Sequence, residues 1–358
     1  MKSNEFLLYG ANGYTGRLIA RFANLYGLKP FLAGRSPAPL EAMAKELNLP
    51  FKVIDLDDER ALTAALNEVK VVLHAAGPFE YTARKMVDAC LKTGTHYLDI
   101  NGAIPVFEML KGYHLRAAAA GIMIMPGVGF DVVPTDCIAL LLKHKMPEAT
   151  KLQLAFASTG GGLSHGTAIT MAGNLGEGSL ARMDGKLNKV PLGTNGMKVE
   201  FFCGKNKPPK ELFVMSIPWG DVSTAYTTTD IPNIETYTGI SKKLYYILKA
   251  QGLFNWLLRT ALIRKFAIKK IKSLPAGPTD DQRKNARSMV WGRVSNADGD
   301  TATARLCGPD GYTLTMHTSL IILKKVLQGN FQPGYQTPAK QYGSKVIEEV
   351  PGVAIRYD

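Results

Sequence analysis

Closely spaced cysteines and histidines are absent from this 358-residue sequence. The four cysteines lie far apart, and none belongs to a CxxC pair: Cys90, Cys137, Cys203 and Cys307. Disulfide frameworks and structural zinc sites both need tighter clusters, so we predict free thiols in a reducing compartment. The six histidines form no HExxH or HxH pair, and we therefore expect no metal site.

Long apolar runs, repeats and low-complexity tracts are also missing. No uncharged apolar run reaches the roughly 18 residues that a membrane span requires. The first five residues, Met1–Glu5, lead directly into an apolar strand and lack the pattern of a secretory signal. With 46% hydrophobic residues, the chain can form a large core and more than one domain. We expect a soluble, cytoplasmic protein, and peripheral contact with a membrane stays open.

The first 145 residues alternate between short apolar strands and helical segments. Strands are predicted at 6–9, 30–33, 51–54, 69–75, 96–100 and 122–125. This rhythm is typical of βαβ units, and it predicts an α/β Rossmann domain, a doubly wound parallel sheet, over residues 1–145. Right-handed crossovers place the carboxyl ends of these strands at one edge, where ligands bind.

After residue 145 the pattern changes. Strands and helices now alternate irregularly. The sequence predicts a strand at 151–158 and helices at 168–175 and 240–272. Further strand-like segments are 199–203, 212–216, 288–294, 300–306 and 311–315. We predict a second, α+β domain over 146–315 that supplies substrate contacts, with a homodimer surface as an open alternative. A helix at 316–328 begins the C-terminal segment 316–358, for which a return to the Rossmann domain is considered.

A glycine-rich turn follows the first strand directly. Its GxxGxxG spacing requires a strand to turn sharply into a helix while backbone amides meet a pyrophosphate, which side chains would hold away. The motif opens the first βαβ unit, as dinucleotide binding requires. The predicted pyrophosphate site consists of Gly10, Asn12, Gly13, Tyr14, Thr15 and Gly16.

The end of the second strand indicates the cofactor. NAD enzymes place Asp or Glu there for the ribose 2′-OH, whereas a 2′-phosphate needs cations. Arg35 can stack on adenine and pair with that phosphate, Ser36 can donate to it, and no acidic residue precedes Glu41, so NADP(H) is favoured over NAD(H). Two more segments complete the predicted site: Asp55 and Leu56 beside the adenine, and Ala76, Gly77, Pro78 and Phe79 beside the nicotinamide ribose.

A series of motifs carries a family resemblance. In chain order they are GANGYTG, LAGRS, HAAGPF, TGTHYLDINGA, GVGFDVVPTD, GGGLSHGT, RSMVWGRV, GYTLT and GYQTPA. With them the chain resembles the saccharopine dehydrogenase-like oxidoreductases, which include trans-acting enoyl reductases of lipid biosynthesis. The resemblance implies an NADP-binding N-terminal domain and hydride transfer, without fixing the substrate. Ala103 departs from the family pattern, where Glu is usual, and so does His165, where glycine is usual.

Catalytic candidates are expected where strands end. Tyr81 and Lys85 form a Tyr-x-x-x-Lys pattern, although its place directly after the fourth strand differs from that in short-chain dehydrogenases. Tyr81 is therefore a candidate catalytic residue, and the alternative is that the Tyr-x-x-x-Lys pattern occurs here by chance. Asp99 and Asp131 each follow a strand and could bind substrate or relay a proton. Capping of the helix that follows is the alternative for both.

The glycine-rich segment of the second domain supplies further candidates. Ser164 and Thr167 precede a predicted helix and suit a polar or anionic substrate group. His165 lies between them and is a candidate acid or base.

A basic segment contributes much of the net charge of +13. No acidic residue falls between Tyr237 and Thr279, whereas nine basic residues do: Lys242, Lys243, Lys249, Arg259, Arg264, Lys265, Lys269, Lys270 and Lys272. Apolar residues recur at helical spacing over 244–262, with Gly252 as an interruption. Either this helix packs on the second domain, or 242–272 lies on a membrane and delivers a lipid-like substrate. We expect no nucleic-acid partner, since no recognised module is present.

These patterns together predict an NADP(H)-dependent oxidoreductase that acts on a small or lipid-like substrate, with enoyl reduction as one reaction. Two alternatives stay open. One is C–N oxidoreduction of an amino-acid-derived substrate, and the other is a non-catalytic NADP(H)-binding sensor or scaffold.

Overall fold

The chain forms two compact units. The computed structural model describes residues 3–162, 164–173, 176–205, 207–250 and 254–357. Unit 1 comprises Met1–Val133 and Tyr312–Tyr342, and unit 2 comprises Pro134–Gly311 and Gly343–Asp358. The sequence suggested domain boundaries at residues 145 and 315, whereas the units of the structure divide after residues 133 and 311. Residues 343–358 belong to unit 2.

The described residues contain sixteen strands and fifteen α-helices. The strands are β1 (Ser3–Tyr9), β2 (Pro30–Gly34), β3 (Phe51–Val53), β4 (Val69–His74), β5 (His96–Asp99), β6 (Met123–Met125), β7 (Lys151–Thr159), β8 (Ser179–Met183), β9 (Lys186–Val190), β10 (Gly196–Phe201), β11 (Lys210–Ser216), β12 (Asn233–Gly239), β13 (Arg287–Ser295), β14 (Thr301–Pro309), β15 (Gly334–Tyr335) and β16 (Ala354–Tyr357). The helices are α1 (Tyr14–Phe22), α2 (Pro37–Leu47), α3 (Glu59–Asn67), α4 (Phe79–Thr93), α5 (Ile104–Lys111), α6 (His114–Ala119), α7 (Val133–Lys145), α8 (His165–Gly173), α9 (Asp221–Thr229), α10 (Lys242–Ala250), α11 (Asn255–Leu258), α12 (Ala261–Lys272), α13 (Asp280–Asn285), α14 (Gly311–Leu327) and α15 (Pro338–Tyr342).

Unit 1 is built on a parallel sheet with the strand order β15-β6-β5-β4-β1-β2-β3. This confirms the predicted doubly wound α/β fold. Tyr9 pairs with Ala33 of β2 and with His74 of β4, and His74 pairs with Asp99 of β5. The carboxyl ends of these strands are therefore level, and the loops that follow them emerge side by side. The strand order reverses between β1 and β4, which is where such sheets bind ligands.

Helix α14 brings the chain back to unit 1 and corrects the predicted strand at 311–315. These residues form the first turns of a helix that continues to Leu327. Threonine and tyrosine favour strands, but this helix buries Leu314, Leu320 and Leu323 completely. Burial of several large side chains outweighs the small differences in backbone propensity, so tertiary packing decides the helical state.

Unit 2 contains a nine-stranded mixed sheet, in agreement with the predicted second domain of helices and strands. Its main path runs β10-β11-β12-β7-β13-β14-β16, and β8 and β9 attach beside β12. One face packs on α7, where a Cβ at Gly292 would lie 2.5 Å from Cγ2 of Ile138. The other face covers a core that includes Phe201, Tyr237 and Trp291. Pairing of β16 with β14 holds the C-terminal residues in this unit.

The basic segment is divided into three helices, α10, α11 and α12, rather than one. The predicted interruption at Gly252 lies outside the described residues, as does the predicted helix end at 174–175. Within the described ranges, no helix combines the length and the apolar character needed to cross a bilayer.

Candidate functional site

The glycine-rich turn between β1 and α1 is fixed by contacts that leave no space for side chains. Gly10 has a φ of +86°, and a Cβ there would lie 2.7 Å from the carbonyl carbon of Ala75. At Gly16, a Cβ would lie 2.3 Å from the carbonyl oxygen of Gly10. Only glycine fits either position, so helix α1 can begin directly against the end of the strand.

The start of α1 suits an anionic ligand. Its N-cap residue, Gly13, has no side chain to cap the helix, and the first turn contains no acidic residue. Tyr14 and Thr15 are the first two helical residues, and Asn12 precedes them with its Oδ1 3.1 Å from the position of a Cβ at Gly34. Backbone amides at a helix start carry partial positive charge, and the turn keeps side chains away from them.

The loop after β4 lies directly against this turn. Gly10 touches the backbone of Ala75 and Ala76, and the next residues, Gly77 and Pro78, are exposed. Phe79 begins α4 and is half-buried against the core of unit 1. The predicted pyrophosphate segment and the predicted nicotinamide-ribose segment are thus neighbours at the reversal point of the sheet.

The end of β2 provides a second place for an anion. Arg35 is exposed, and Ser36 is the N-cap residue of α2 without a side-chain hydrogen bond to the helix. The first turn of α2 contains no acidic residue. Asp55 lies on the neighbouring loop, where its Oδ1 accepts a hydrogen bond of 3.0 Å from the amide of Asp57. Leu56 packs against the core and forms an apolar edge beside this group.

His74 supports the loop after β4, a role that its sequence context did not reveal. Its Nε2 lies 2.9 Å from Oγ1 of Thr82, and Thr82 donates to the carbonyl of Ala76 at 2.8 Å. The ring stacks on Tyr9 with centroids 5.5 Å apart and meets Phe79 edge-on at 5.3 Å. Burial lowers the pKa of His74 to about 3, so the ring stays neutral.

Asp99, another predicted catalytic residue, joins the loops after β5 and β6. Its Oδ1 accepts from the amides of Asn101 at 2.9 Å and Gly127 at 2.8 Å, and its Oδ2 accepts from the Tyr97 hydroxyl at 2.7 Å. Burial raises the pKa of Asp99 to about 6, against the effect of these hydrogen bonds. The residue has no exposed surface, so these hydrogen bonds position the two loops, and a catalytic role for Asp99 stays a prediction.

Asp131, a further predicted catalytic residue, follows β6. It is partly exposed, and a Cβ at Gly102 would lie 2.5 Å from its Oδ2. The carboxyl group therefore lies on the loop after β5, at the edge where the cofactor segments end. Burial raises the pKa of Asp131 to about 7, so the carboxyl group can hold or release a proton near neutrality. Ala103, which stands where the family resemblance implies Glu, is the N-cap residue of α5 and provides no side-chain cap.

Helix α14 covers both parts of this edge, which the sequence did not predict. Tyr312 meets Tyr14 edge-on with ring centroids 4.9 Å apart. Thr315 accepts from the amide of Phe130 at 2.9 Å, and Thr318 donates to the carbonyl of Val128 at 2.7 Å. The helix thereby fixes the loop that carries Asp131 in relation to the glycine-rich turn. The GYTLT motif is the sequence signal that could have indicated it.

The Tyr-x-x-x-Lys pattern does not form a catalytic pair of the short-chain dehydrogenase kind. Tyr81 is 73% exposed on the first turn of α4. Lys85 forms an ion pair with Asp57, on the loop after β3. The lysine is thus used in a surface contact between two parts of unit 1.

The remaining predicted residues lie together in unit 2, at the start of α8. Ser164 and Thr167 are within 3.1 Å of each other through their hydroxyl oxygens. Nε2 of His165 lies 2.7 Å from the carbonyl of Leu274. A carbonyl only accepts, so Nε2 carries the proton and the ring joins α8 to the segment after α12. Among the described residues, no group of three or more His, Cys, Asp or Glu could hold a metal ion.

The fold and the turn of unit 1 define a dinucleotide-binding domain of the Rossmann class. Residues 6–125 match the family model described as saccharopine dehydrogenase NADP binding domain. The match runs from β1 to the end of β6 and agrees with the resemblance that the motifs indicated.

Two similar proteins match part of the chain. A trans-acting enoyl reductase from Mycobacterium leprae is 34% identical over 152 residues, which are 40% of this chain and 36% of that protein. A lipid droplet localized protein from Caenorhabditis elegans is 27% identical over 157 residues, 40% of this chain and 37% of that protein. The matches thus span less than half the length of these relatives.

The fold as a whole is similar to a solved structure. Saccharopine dehydrogenase (L-Glu forming) from Saccharomyces cerevisiae has a TM-score of 0.66 and 15% identity, and the match covers 99% of this chain and 100% of that chain. At this identity the likeness concerns the fold.

The buried ring of His74 makes the stability of unit 1 sensitive to acid. Its pKa is about 3 in the folded protein, whereas an unfolded chain has a histidine pKa of about 6.5. Below pH 6.5 the histidine is protonated in the unfolded state but stays neutral in the folded state, so stability decreases as the pH is lowered. When the pH is lowered from 7.5 to 5, the free energy of unfolding should decrease in both proteins. The decrease should be about 2 kcal/mol smaller in His74→Phe than in the wild type, measured by denaturant titration.

Asp99 and Asp131 titrate in the same range but are present in both proteins, so the difference isolates His74. Exposed His144, changed to Phe, controls for loss of a histidine without loss of a buried ring. Equal acid sensitivity of His74→Phe and wild type would show that the ring is not buried in its neutral form.

Proposed function

We propose that this chain is an NADP(H)-dependent oxidoreductase that transfers a hydride to or from a lipid-like substrate, with reduction of a carbon–carbon double bond as the favoured reaction. One observation carries the proposal. The side-chain-free turn at Gly10 and Gly16 and the proton-holding carboxyl group of Asp131 lie at the same edge of the parallel sheet.

The residues at this edge fit a phosphorylated dinucleotide. The space that a Cβ would fill at Gly10 and Gly16 is taken by backbone, so the strand turns tightly into α1, whose first amides would bind the pyrophosphate. Arg35, Ser36 and the acid-free start of α2 would hold a 2′-phosphate. The loop at 76–79, in which Gly77 and Pro78 are exposed, would then lie along the nicotinamide ribose.

Proton transfer is assigned to Asp131. When bound, the reduced nicotinamide dinucleotide supplies the hydride. Reduction of a double bond needs one proton in addition, and the Asp131 carboxyl group delivers it to the carbon that does not take the hydride. A carboxyl group with a pKa of about 7 is protonated in a large fraction of molecules at neutral pH and regains its proton from water.

A lipid-like substrate is supported by two relatives, one named as a trans-acting enoyl reductase and one as a lipid droplet localized protein. The experiment is NADPH consumption against a panel of long-chain enoyl thioesters, ketones and imines. Turnover of enoyl thioesters supports the proposal. Turnover of imines alone supports C–N chemistry, and NADPH binding without turnover supports the sensor or scaffold alternative.

Selection of the cofactor should depend on Arg35. Removal of a guanidinium that pairs with a phosphate should weaken NADPH binding about ten- to hundredfold in Arg35→Ala. The affinity for NADH should fall much less, because NADH has no 2′-phosphate and would lose only the stacking of Arg35 on adenine. Calorimetric titration of both nucleotides measures this, with exposed Arg21→Ala on α1 as the control. An equal loss for both nucleotides would contradict the assignment.

The rate of reduction should follow the protonation of Asp131. Since the protonated form acts, kcat of the wild type should fall as the pH rises above about 7. Asp131→Asn should lower kcat by about 10² to 10⁴ and lose this pH dependence, with the NADPH dissociation constant unchanged. A variant that keeps the same decline above pH 7 would exclude Asp131 as the proton donor.

A further inference from the structure

Helix α12 in unit 2 has an outer face with large exposed apolar side chains. None of its twelve residues is buried, and Leu262 and Phe266 are 83% and 71% exposed. The helix is held by its other side, where Arg264 pairs with Glu177 at 2.8 Å. Its C-terminal extension is attached to α8 through the amide of His165, which donates to Ala276. The exposed side is thus a fixed surface of a folded element.

The residues of this outer face are ordered in a definite way around the helix. At about 100° per residue, Leu262 and Phe266 form one stripe along the axis. Lys265, Lys269 and Lys272 lie on one side of the stripe, and Lys270 lies on the other. The half-buried residues Ile263, Ala267, Ile268 and Ile271 occupy the opposite side of the helix. The predicted apolar pattern over 244–262 did not include this stripe, which begins where that pattern ends.

The charge of this surface is uniform. No acidic residue occurs between Tyr237 and Thr279. None of the four lysines of α12 forms an ion pair with a described residue. Further exposed apolar side chains lie on adjoining elements: Met171 on α8, Trp256 on α11 and Leu274 after α12.

We propose that the outer face of α12, defined as Leu262, Lys265, Phe266, Lys269, Lys270 and Lys272, binds the surface of an anionic phospholipid bilayer. Twelve residues span about 18 Å, too short to cross a bilayer, so the helix lies in the plane of the interface. Leu262 and Phe266 enter the region between headgroups and acyl chains. The lysines extend their stems over this apolar strip and place their ammonium groups beside lipid phosphates.

A lipid surface fits this face better than a nucleic acid does. A nucleic acid would satisfy the lysines but would leave the central Leu262–Phe266 stripe in water. An anionic leaflet satisfies both groups at once, since charge and apolar burial act together at its surface. This interaction is independent of the proposed redox chemistry, because it uses residues of unit 2 only.

Flotation with unilamellar vesicles tests the proposal on the full chain. At low salt, wild type should bind vesicles that contain phosphatidylglycerol and should bind pure phosphatidylcholine much more weakly. Leu262→Ser/Phe266→Ser should reduce the binding constant at least about tenfold through lost apolar burial. Lys265→Gln/Lys269→Gln/Lys270→Gln should reduce it on the order of fivefold per lysine at low salt.

Matched controls come from exposed residues elsewhere. Leu25→Ser/Leu115→Ser removes two leucines of unit 1 that are 71% and 79% exposed, and it should bind like wild type. Failure of the wild type to bind anionic vesicles overturns the proposal. The proposal is likewise overturned if Leu262→Ser/Phe266→Ser and the control Leu25→Ser/Leu115→Ser lose vesicle binding equally. It is also overturned if light scattering shows a dimer that the Leu262→Ser/Phe266→Ser change dissociates, or if an RNA oligomer binds and vesicles do not.

Discussion

Direct contact between the backbone of the glycine-rich turn and the backbone after β4 is the constraint on which the site depends. A Cβ at Gly10 would lie 2.7 Å from the carbonyl carbon of Ala75, and a Cβ at Gly16 would lie 2.3 Å from the carbonyl oxygen of Gly10. Both positions must therefore be glycine. This close approach sets α1 on the end of β1, and the partial positive charge of its first amides suits a phosphate. Every role proposed for Arg35, the loop at 76–79 and Asp131 follows from that placement.

The loops around this space are fixed by groups that do not face it. Asp99 holds the backbone at Asn101 and Gly127, and His74 holds the loop after β4 through Thr82. Both groups are fully buried, and their pKa values move toward the neutral form because burial disfavours charge. The proposed proton donor, Asp131, is less buried and sits on the loops that Asp99 positions. Positioning of the loops and the proposed proton transfer are thus assigned to two different carboxyl groups.

Local patterns in the sequence were sufficient for the Rossmann sheet and its turn. Apolar strands of fixed spacing and a glycine motif report interactions between residues near each other in the chain, so β1, α1 and β2 could be predicted. Contacts between residues distant in the chain could not be predicted from such local patterns. Thr315 binds the amide of Phe130 across 185 positions, and the same packing makes 311–315 helical. The hydrogen bond from the amide of Gly127 to Asp99 likewise joins distant residues, and the position of Asp99 at a strand end did not predict it.

The most direct test of this account is a crystal structure of the protein with NADP⁺. The pyrophosphate oxygens should lie about 3 Å from backbone amides at the start of α1, and the 2′-phosphate should contact Arg35 and Ser36. A nucleotide bound elsewhere, or a crystal in saturating NADP⁺ whose glycine-rich turn holds no nucleotide, would contradict the account.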